Sequence, residues 1–121
     1  MTTEEVRAYC LSKKAVIEDM PFDEFTICFK VGGKIFLILP TDEVLLNINV
    51  KCDPEIAIEL REKYPEVKPG YHMNKKHWNT IIDRGRLSDS FVKQQIDHSY
   101  DLVFSSLTKK IKEEINTLNE N

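Results

Sequence analysis

The order of apolar and polar residues in the first half of the chain predicts a helix followed by strands. Thr2 stands three positions before Glu5, which is the pattern of a capping box at a helix start. Residues 15–20 lead into Pro21-Phe22, where we expect a turn or a sheet edge. Three later segments have the apolar patterns of strands, and the first and third alternate with a period of two: 26–31, 34–39 and 44–51.

Gly32-Gly33 separates the first two of these segments. Two glycines between apolar strands predict a β-hairpin with a primed turn, because such turns place their central residues at positive φ. The third segment follows after residues 40–43. The three strands are therefore expected to form an antiparallel meander.

Cap and turn signals divide the middle of the chain. Asp53 precedes Pro54, and this pair predicts a helix start, because aspartate caps a helix and proline fits its first position. The helix is expected to end at Pro65. Pro69-Gly70 suits a type II turn, and residues 76–82 form the next predicted strand.

The last predicted helix begins at Ser88, and its apolar stripe advances by threes and fours from Val92 to Leu118. The stripe is long enough for about thirty residues of helix. After Thr108 the sequence is polar enough to project from the body of the protein. The stripe from Ile111 onward fits a dimerisation face or a helix end that docks on its own domain.

The predicted element order is α-β-β-β-α-β-β-α, with the strands clustered and the helices flanking them. Because strands and helices do not alternate as βαβ units, a doubly wound parallel sheet is disfavoured. We predict an α+β two-layer sandwich, in which an antiparallel sheet has helices packed on one face. Residues 1–107 form a single domain in this interpretation, and residues 108–121 form a C-terminal helical extension.

Composition fits a soluble domain of ordinary kind. The chain has 121 residues, of which 41% are apolar and 31% are charged, so one domain with one core is expected. No apolar run approaches the ~20 residues that span a bilayer, and the acidic, polar N-terminus is unlike a signal peptide. We therefore expect a cytoplasmic protein without membrane contact. The three cysteines form no Cys-x-x-Cys pair, which favours buried free thiols.

The charge is unevenly distributed along the chain. Residues 61–86 contain seven basic and three acidic residues, whereas the remaining residues carry a net charge of −7 and the whole chain −3. This asymmetry permits a local basic surface, but it excludes the overall basicity of a strong non-specific DNA binder.

Aromatic and basic residues are interleaved between Pro69 and Trp78. Bases stack on aromatic faces while cations neutralise phosphates, so this segment is a candidate surface for nucleic acid. The alternative is a strand with one buried aromatic residue and a solvated basic face. His72 and His77 are five positions apart, a spacing that does not bring two ligands to one face of a helix or strand. We predict no metal site and no cofactor.

The chain resembles the MmcQ/YjbR family over nearly its whole length, up to about residue 107. The resemblance rests on five segments in this order: Pro21-Phe22, 29–36, 50–54, 70–78 and 99–103. It implies a fold like that of CyaY and frataxin, with helices on one side of an antiparallel sheet. It also implies a DNA-binding role, which is itself a prediction for the family, through a double-wing arrangement of β-hairpins.

We therefore predict a non-catalytic nucleic-acid-binding module, with DNA as the expected partner, that uses a basic and aromatic hairpin surface. No nucleophile, acid–base pair or small-molecule substrate site is evident in the sequence. The predicted binding residues are Lys34, Lys51, Lys68, Tyr71, His72, Lys75, Lys76, His77, Trp78, Arg84 and Arg86. One alternative is a protein-interaction adaptor that binds no nucleic acid. The other is metal binding, which only the frataxin-like fold suggests.

Overall fold

A six-stranded antiparallel sheet forms one layer of the computed structural model, which describes residues 1–71 and 73–118. The helices are α1 Thr3–Leu11, α2 Pro54–Lys63, α3 Asp89–Ser105 and α4 Lys109–Thr117. The strands are β1 Val16–Asp19, β2 Thr26–Val31, β3 Lys34–Pro40, β4 Leu46–Lys51, β5 Val67–Pro69 and β6 Trp78–Asp83. Their order across the sheet is β1-β2-β3-β4-β6-β5. The predicted α+β architecture is confirmed.

All four helices contribute to one hydrophobic core on a single face of the sheet, which we call the inner face. Leu37 pairs with Val50, and Ile48 pairs with Ile81, so these side chains line the inner face together. Helix α3 packs across the central strands and buries Ile96 completely. The opposite side of the sheet, which we call the open face, is covered by no helix in the described residues.

A β-bulge in β3 fixes helix α3 on the sheet. The register shifts so that both Phe36 and Leu37 are buried in the core, and Phe36 meets the ring of Tyr100 edge-on at 5.3 Å. Ser99 donates a hydrogen bond to the carbonyl oxygen of Phe36 and accepts one of 2.8 Å from the N–H of Lys51. A single buried hydroxyl therefore joins α3 to two neighbouring strands.

Most of the local signals are confirmed. The Thr2–Glu5 capping box is present, and Asp53 and Ser88 cap the helices that follow them. The glycine pair has φ values of +58° and +82°, as a type I′ hairpin requires. Gly32 is also needed for space, because a Cβ there would lie 2.6 Å from Leu107.

Two predictions about turns and strands need correction. Gly70 does not have a positive φ, and its N–H donates to the carbonyl oxygen of Trp78 at 2.8 Å. Pro69-Gly70 therefore continues the β5–β6 ladder, and the prediction of a type II turn is wrong. The segment before Pro21 forms a regular edge strand, β1, paired with β2.

The prediction of one continuous helix of about thirty residues is also wrong. Helix α3 ends at Ser105, and Thr108 caps a separate helix α4 through the N–H of Ile111. Leu107 is buried in the core between the two helices, and α4 places Ile115 in the same core. The C-terminal stripe therefore docks on its own domain instead of projecting from it.

The cysteines are free and buried, as predicted. Burial raises the pKa of Cys10 to about 12 and that of Cys52 to about 11. Such thiols are almost entirely protonated at neutral pH, so they are poor nucleophiles. Within residues 1–71 and 73–118, no helix has the length and apolar character needed to cross a membrane.

Asp97 links α1 to α3 at the edge of the core. The hydroxyl of Tyr9 donates to Asp97 at 2.6 Å, and the ammonium group of Lys13 pairs with the same carboxylate. Burial opposes ionisation of Asp97, but the hydrogen bonds from Lys13 and Tyr9 outweigh it and hold the pKa of Asp97 below its ordinary value. A carboxylate with a lowered pKa stabilises the folded state above its unfolded pKa, and this contribution is lost as the pH falls.

We expect Asp97→Asn to lower the free energy of unfolding by about 1 kcal/mol at neutral pH, a value reduced for solvent screening of the partly exposed carboxylate. The difference from the wild type should shrink as the pH falls through the lowered pKa of Asp97, because the carboxyl group then becomes protonated in the folded state as well. Urea titrations at several pH values measure both quantities. A difference that stays constant with pH would contradict this account.

Candidate functional site

The open face carries a groove of about 760 Å³. Its floor is made of strand residues that alternate with the core: Ile38, Asn47, Asn49, Thr80 and Ile82. Its walls come from loops at the same end of the sheet and from the chain after β5: Phe22, Asp23, Glu43, Tyr71 and Met73. Polar amides on an otherwise apolar floor are typical of a site that orients a ligand.

A chain of hydrogen bonds fixes one side of the groove floor. The N–H of Tyr71 donates to the hydroxyl of Thr80 at 3.0 Å, and this hydroxyl donates to Oδ1 of Asn49 at 2.5 Å. Because Oδ1 of Asn49 is occupied by Thr80, its Nδ2 is the group that remains to donate to a ligand. The neighbouring floor residue Asn47 has a buried Oδ1 with no partner among the described residues.

A second cavity of about 360 Å³ lies beside the groove. Three basic residues line this cavity, which we call the basic notch: Lys68, Arg84 and Arg86. Tyr71 and Ile82 line both cavities, so the notch and the groove are adjacent. Among the described residues, Glu66 is the one acidic residue that lines this cavity, and it is 8% exposed.

The cations of the predicted surface are not neutralised by neighbouring carboxylates. The ion pairs within residues 1–71 and 73–118 involve the N-terminus, Arg7, Lys13 and Lys30. Within the same residues, no carboxylate lies within 4.0 Å of the cationic groups of Lys51, Lys68, Lys75, Lys76, Arg84 and Arg86. Asp83 adjoins the notch, but its carboxylate accepts hydrogen bonds from the backbone of its own turn.

The structure divides the predicted binding residues into separate groups. Tyr71 lines the notch, although it follows Gly70, whose N–H donates to the carbonyl oxygen of Trp78 at the start of β6. Lys68 pairs with Thr80 in the middle of β6, and Arg84 and Arg86 follow its C-terminal end. Lys51 pairs with Trp78 at the other end of β6, where the turn carries Lys75 and Lys76; six strand residues separate the two ends by about 20 Å. We call these four residues the far group.

Two further predicted residues, Lys34 and His77, stand apart from the notch. The ammonium group of Lys34 lies 3.4 Å from the hydroxyl of Ser106 at the end of α3, on the helix side. His77 is half-buried, and its carbonyl oxygen accepts from the N–H of Cys52. His72 lies outside the described residues.

Of the two aromatic residues proposed for stacking, Tyr71 is the accessible one. Its side chain is 60% exposed, whereas Trp78 is half-buried. Trp78 also packs against the backbone of Gly70, where an added Cβ would lie 2.8 Å from Cβ of Trp78. Trp78 therefore helps to shape the hairpin that presents Tyr71.

Arg61 is a functional candidate that the sequence did not single out. From the last turn of α2, its guanidinium donates to Oδ1 of Asn79 at 2.8 Å and to the carbonyl oxygens of Lys75 and Trp78. These bonds hold the turn that carries Lys75 and Lys76. In the sequence Arg61 is one of several basic residues, and nothing in that pattern indicates that its side chain contacts the backbone instead of solvent.

Three acidic residues near Pro21, namely Glu18, Asp19 and Asp23, are engaged in local structure. Glu18 binds Arg7, and Asp19 binds Lys30 at 3.0 Å. Asp23 accepts hydrogen bonds from the N–H groups of Phe25 and Thr26, which hold its pKa below the ordinary value. In the part of the chain that the structure describes, no three His, Cys, Asp or Glu side chains form a metal-ligand group.

The protein is an α+β domain in which an open antiparallel sheet has helices on one face and a ligand-sized groove on the other. The chain belongs to the YjbR family, whose model matches residues 11–102. It is 38% identical to the uncharacterised protein YbdF of Escherichia coli O157:H7 over 90 residues, which is 74% of each chain. It is 32% identical to the uncharacterised protein YjbR of Escherichia coli K12 over 100 residues, 83% of this chain and 85% of that one.

Solved structures show the same fold. The crystal structure of the Deinococcus radiodurans protein DR2400 matches with a TM-score of 0.90 and 32% identity, over 95% of this chain and 88% of that one. A Pseudomonas syringae protein matches with a TM-score of 0.73 and 27% identity, over 85% of this chain and 99% of that one. The first match extends beyond residue 102, so the agreement includes most of the C-terminal part. The likeness to CyaY and frataxin stays a prediction.

We expect Gly70→Ala to destabilise the protein by about 1–3 kcal/mol, because the added methyl group overlaps Trp78 in a packed hairpin. The emission of the single tryptophan should shift in the same variant, since the contact involves its Cβ. Thermal unfolding and fluorescence spectra measure the two effects. Lys68→Ala, an exposed change two residues earlier in β5, is the control; equal behaviour of the two variants would contradict the close contact.

Proposed function

We propose that this domain binds nucleic acid without a catalytic step, and that the basic notch with Tyr71 is the principal contact surface. The observation that carries the proposal is the grouping of three cationic side chains, with no ion-pair partner among the described residues, beside an exposed aromatic ring. The far group extends this surface along β6. A cytoplasmic location, where free thiols stay reduced, belongs to the same proposal.

The chemistry of the notch suits a phosphate backbone. Guanidinium groups bind phosphate through two parallel hydrogen bonds, and Arg84 and Arg86 both line the notch. Neutralising a phosphate also releases condensed counterions, which favours binding at low salt. Tyr71 adds an aromatic face on which a base can stack whatever its sequence.

The overall charge sets an upper limit to this binding. The chain carries a net charge of −3, so the attraction is local and only a few phosphates are neutralised. For three phosphates on a single strand, the logarithm of the binding constant should fall with the logarithm of salt concentration with a slope of about −2. Strong non-specific binding at physiological salt is therefore not expected.

A protein-interaction adaptor is the second candidate, and exposed apolar side chains in two loops favour it. The loop between β1 and β2 exposes Met20, Phe22 and Phe25, and the loop between β3 and β4 exposes Val44 and Leu45. The Thr41 N–H and hydroxyl both donate to the carbonyl oxygen of Phe25, so the two loops are held together. A joined apolar surface of this kind is typical of a protein-binding site.

Fluorescence anisotropy with a labelled single-stranded oligonucleotide at low salt tests the first proposal. We expect the double variant Arg84→Glu/Arg86→Glu to weaken binding at least about tenfold, because two phosphate contacts become repulsive. The control Lys34→Glu/Lys109→Glu makes the same change in net charge on the helix side and should alter binding by less than about twofold. No binding by the wild type, or equal losses in both variants, would refute the proposal.

Glu43 provides a test in the opposite direction, because it lines the groove that adjoins the notch. Glu43→Gln removes a negative charge near the proposed phosphate path, so we expect binding to become about two- to threefold tighter at low salt. This gain should vanish at about 1 M salt, where charges are screened. Glu113→Gln on α4 is the matched control and should change nothing; an equal gain there would show that only net charge matters.

A further inference from the structure

We infer that the groove on the open face receives one unpaired base of the strand whose phosphates the basic notch binds. The domain would then select single-stranded over double-stranded nucleic acid. This inference rests on the proposed function, and it adds the structural form of the ligand. It depends on the groove floor, which the phosphate-binding proposal does not use.

The adjacency of the two cavities is the first argument. Tyr71 and Ile82 line both of them, so a nucleotide whose phosphate lies in the notch has its base directed past Tyr71 into the groove. The volume of about 760 Å³ falls in the range of small-ligand sites. A single planar ring system therefore has room there together with its sugar.

The polar groups of the floor suit the edge of a base. Asn49 offers Nδ2 as a donor, because Thr80 already occupies its Oδ1. Asn47 lies two residues earlier on the same strand and face, and its carboxamide has an unpartnered oxygen. A carboxamide carries a donor and an acceptor side by side, as the edge of a base does, and asparagine pairs with bases in this way. The protein alone leaves the oxygen of Asn47 without a partner among the described residues.

The remaining lining explains why a base, and not the phosphate, enters the groove. Ile38, Ile82 and Met73 present apolar surface to the planar faces of a ring. Glu43 lines the groove, and Asp23 is engaged by its own loop. Negative charge there repels phosphate but accepts hydrogen bonds from an exocyclic amino group. The groove and the notch therefore differ in charge, which orients the nucleotide.

A paired base does not meet these requirements. In a duplex the edge that pairs with the partner base is occupied, and the bases are stacked inside the helix. The groove floor lies between walls that include Phe22 and Met73, so we expect a base to reach it only when it is unstacked. A peptide that occupies the same groove is the competing possibility, and the experiment below distinguishes the two.

The test compares three labelled ligands of equal length: a single-stranded oligonucleotide, the same backbone with abasic positions, and the duplex. We expect the wild type to bind the base-bearing strand about tenfold more tightly than either of the others, the gain expected for one stacked base. If this ratio is close to one, the inference is overturned while the phosphate-binding proposal stands. If none of the three ligands binds at low salt, the proposed function fails as well.

Two variants assign the preference to the groove floor. Asn47→Ala removes a carboxamide whose oxygen has no partner, so the fold should persist. Asn49→Asp keeps an acceptor for Thr80 but removes the donor Nδ2. We expect both variants to reduce the preference for the base-bearing strand to less than about twofold, whereas Lys68→Glu weakens binding to the base-bearing and abasic strands equally.

The abasic strand serves as the internal control for charge in these variants. Asn49→Asp adds a negative charge, but this charge acts on both strands, so the ratio of affinities isolates the contact with the base. Urea titration of each variant confirms that it is folded. An unchanged ratio in folded Asn47→Ala and Asn49→Asp would overturn the inference.

Discussion

The one-sided covering of the sheet is the constraint on which the rest of the structure depends. Helix α3 is fixed across β3 and β4 by Ser99, whose hydroxyl bonds the Phe36 carbonyl oxygen and the Lys51 N–H. Because side chains alternate along a strand, this contact also determines which residues face away from the helices. Asn47, Asn49 and Thr80 are thereby placed together on the open face. The groove is thus a consequence of the same packing that forms the core.

Caps and turns formed by residues close in sequence were predictable, whereas contacts between residues far apart in sequence were not. The capping box at Thr2 and the type I′ turn at Gly32-Gly33 each depend on residues that are adjacent or nearly so. The prediction of a type II turn at Gly70 was wrong because a glycine is needed there for a different reason. Its backbone lies close to Trp78 on another strand, and its φ is not positive. The break before α4 was missed because the apolar period continues through Leu107, although that residue turns into the core below the glycine hairpin.

The candidate site was predicted only in part. The segment from Pro69 to Trp78 correctly indicated a hairpin rich in basic and aromatic residues, and the structure adds that Tyr71 is its exposed ring. The groove could not be predicted, because its floor and walls come from residues between positions 22 and 82 that only the sheet order brings together. The role of Arg61 was equally inaccessible, since its partners are backbone oxygens of a distant turn. The excess of basic residues between positions 61 and 86 indicated a basic surface. That these residues divide between the notch and the far group could be seen only from the strand geometry.

The central claim is that ligand binding takes place on the face of the sheet that no helix covers in the described structure. Amide chemical-shift mapping during titration with a short single-stranded oligonucleotide tests this claim most directly. The account predicts shifts concentrated at Asn47, Asn49, Lys68, Tyr71 and Arg84, with α4 and the exposed side of α1 unaffected. Shifts confined to the helical layer, or their absence at saturating oligonucleotide, would contradict it.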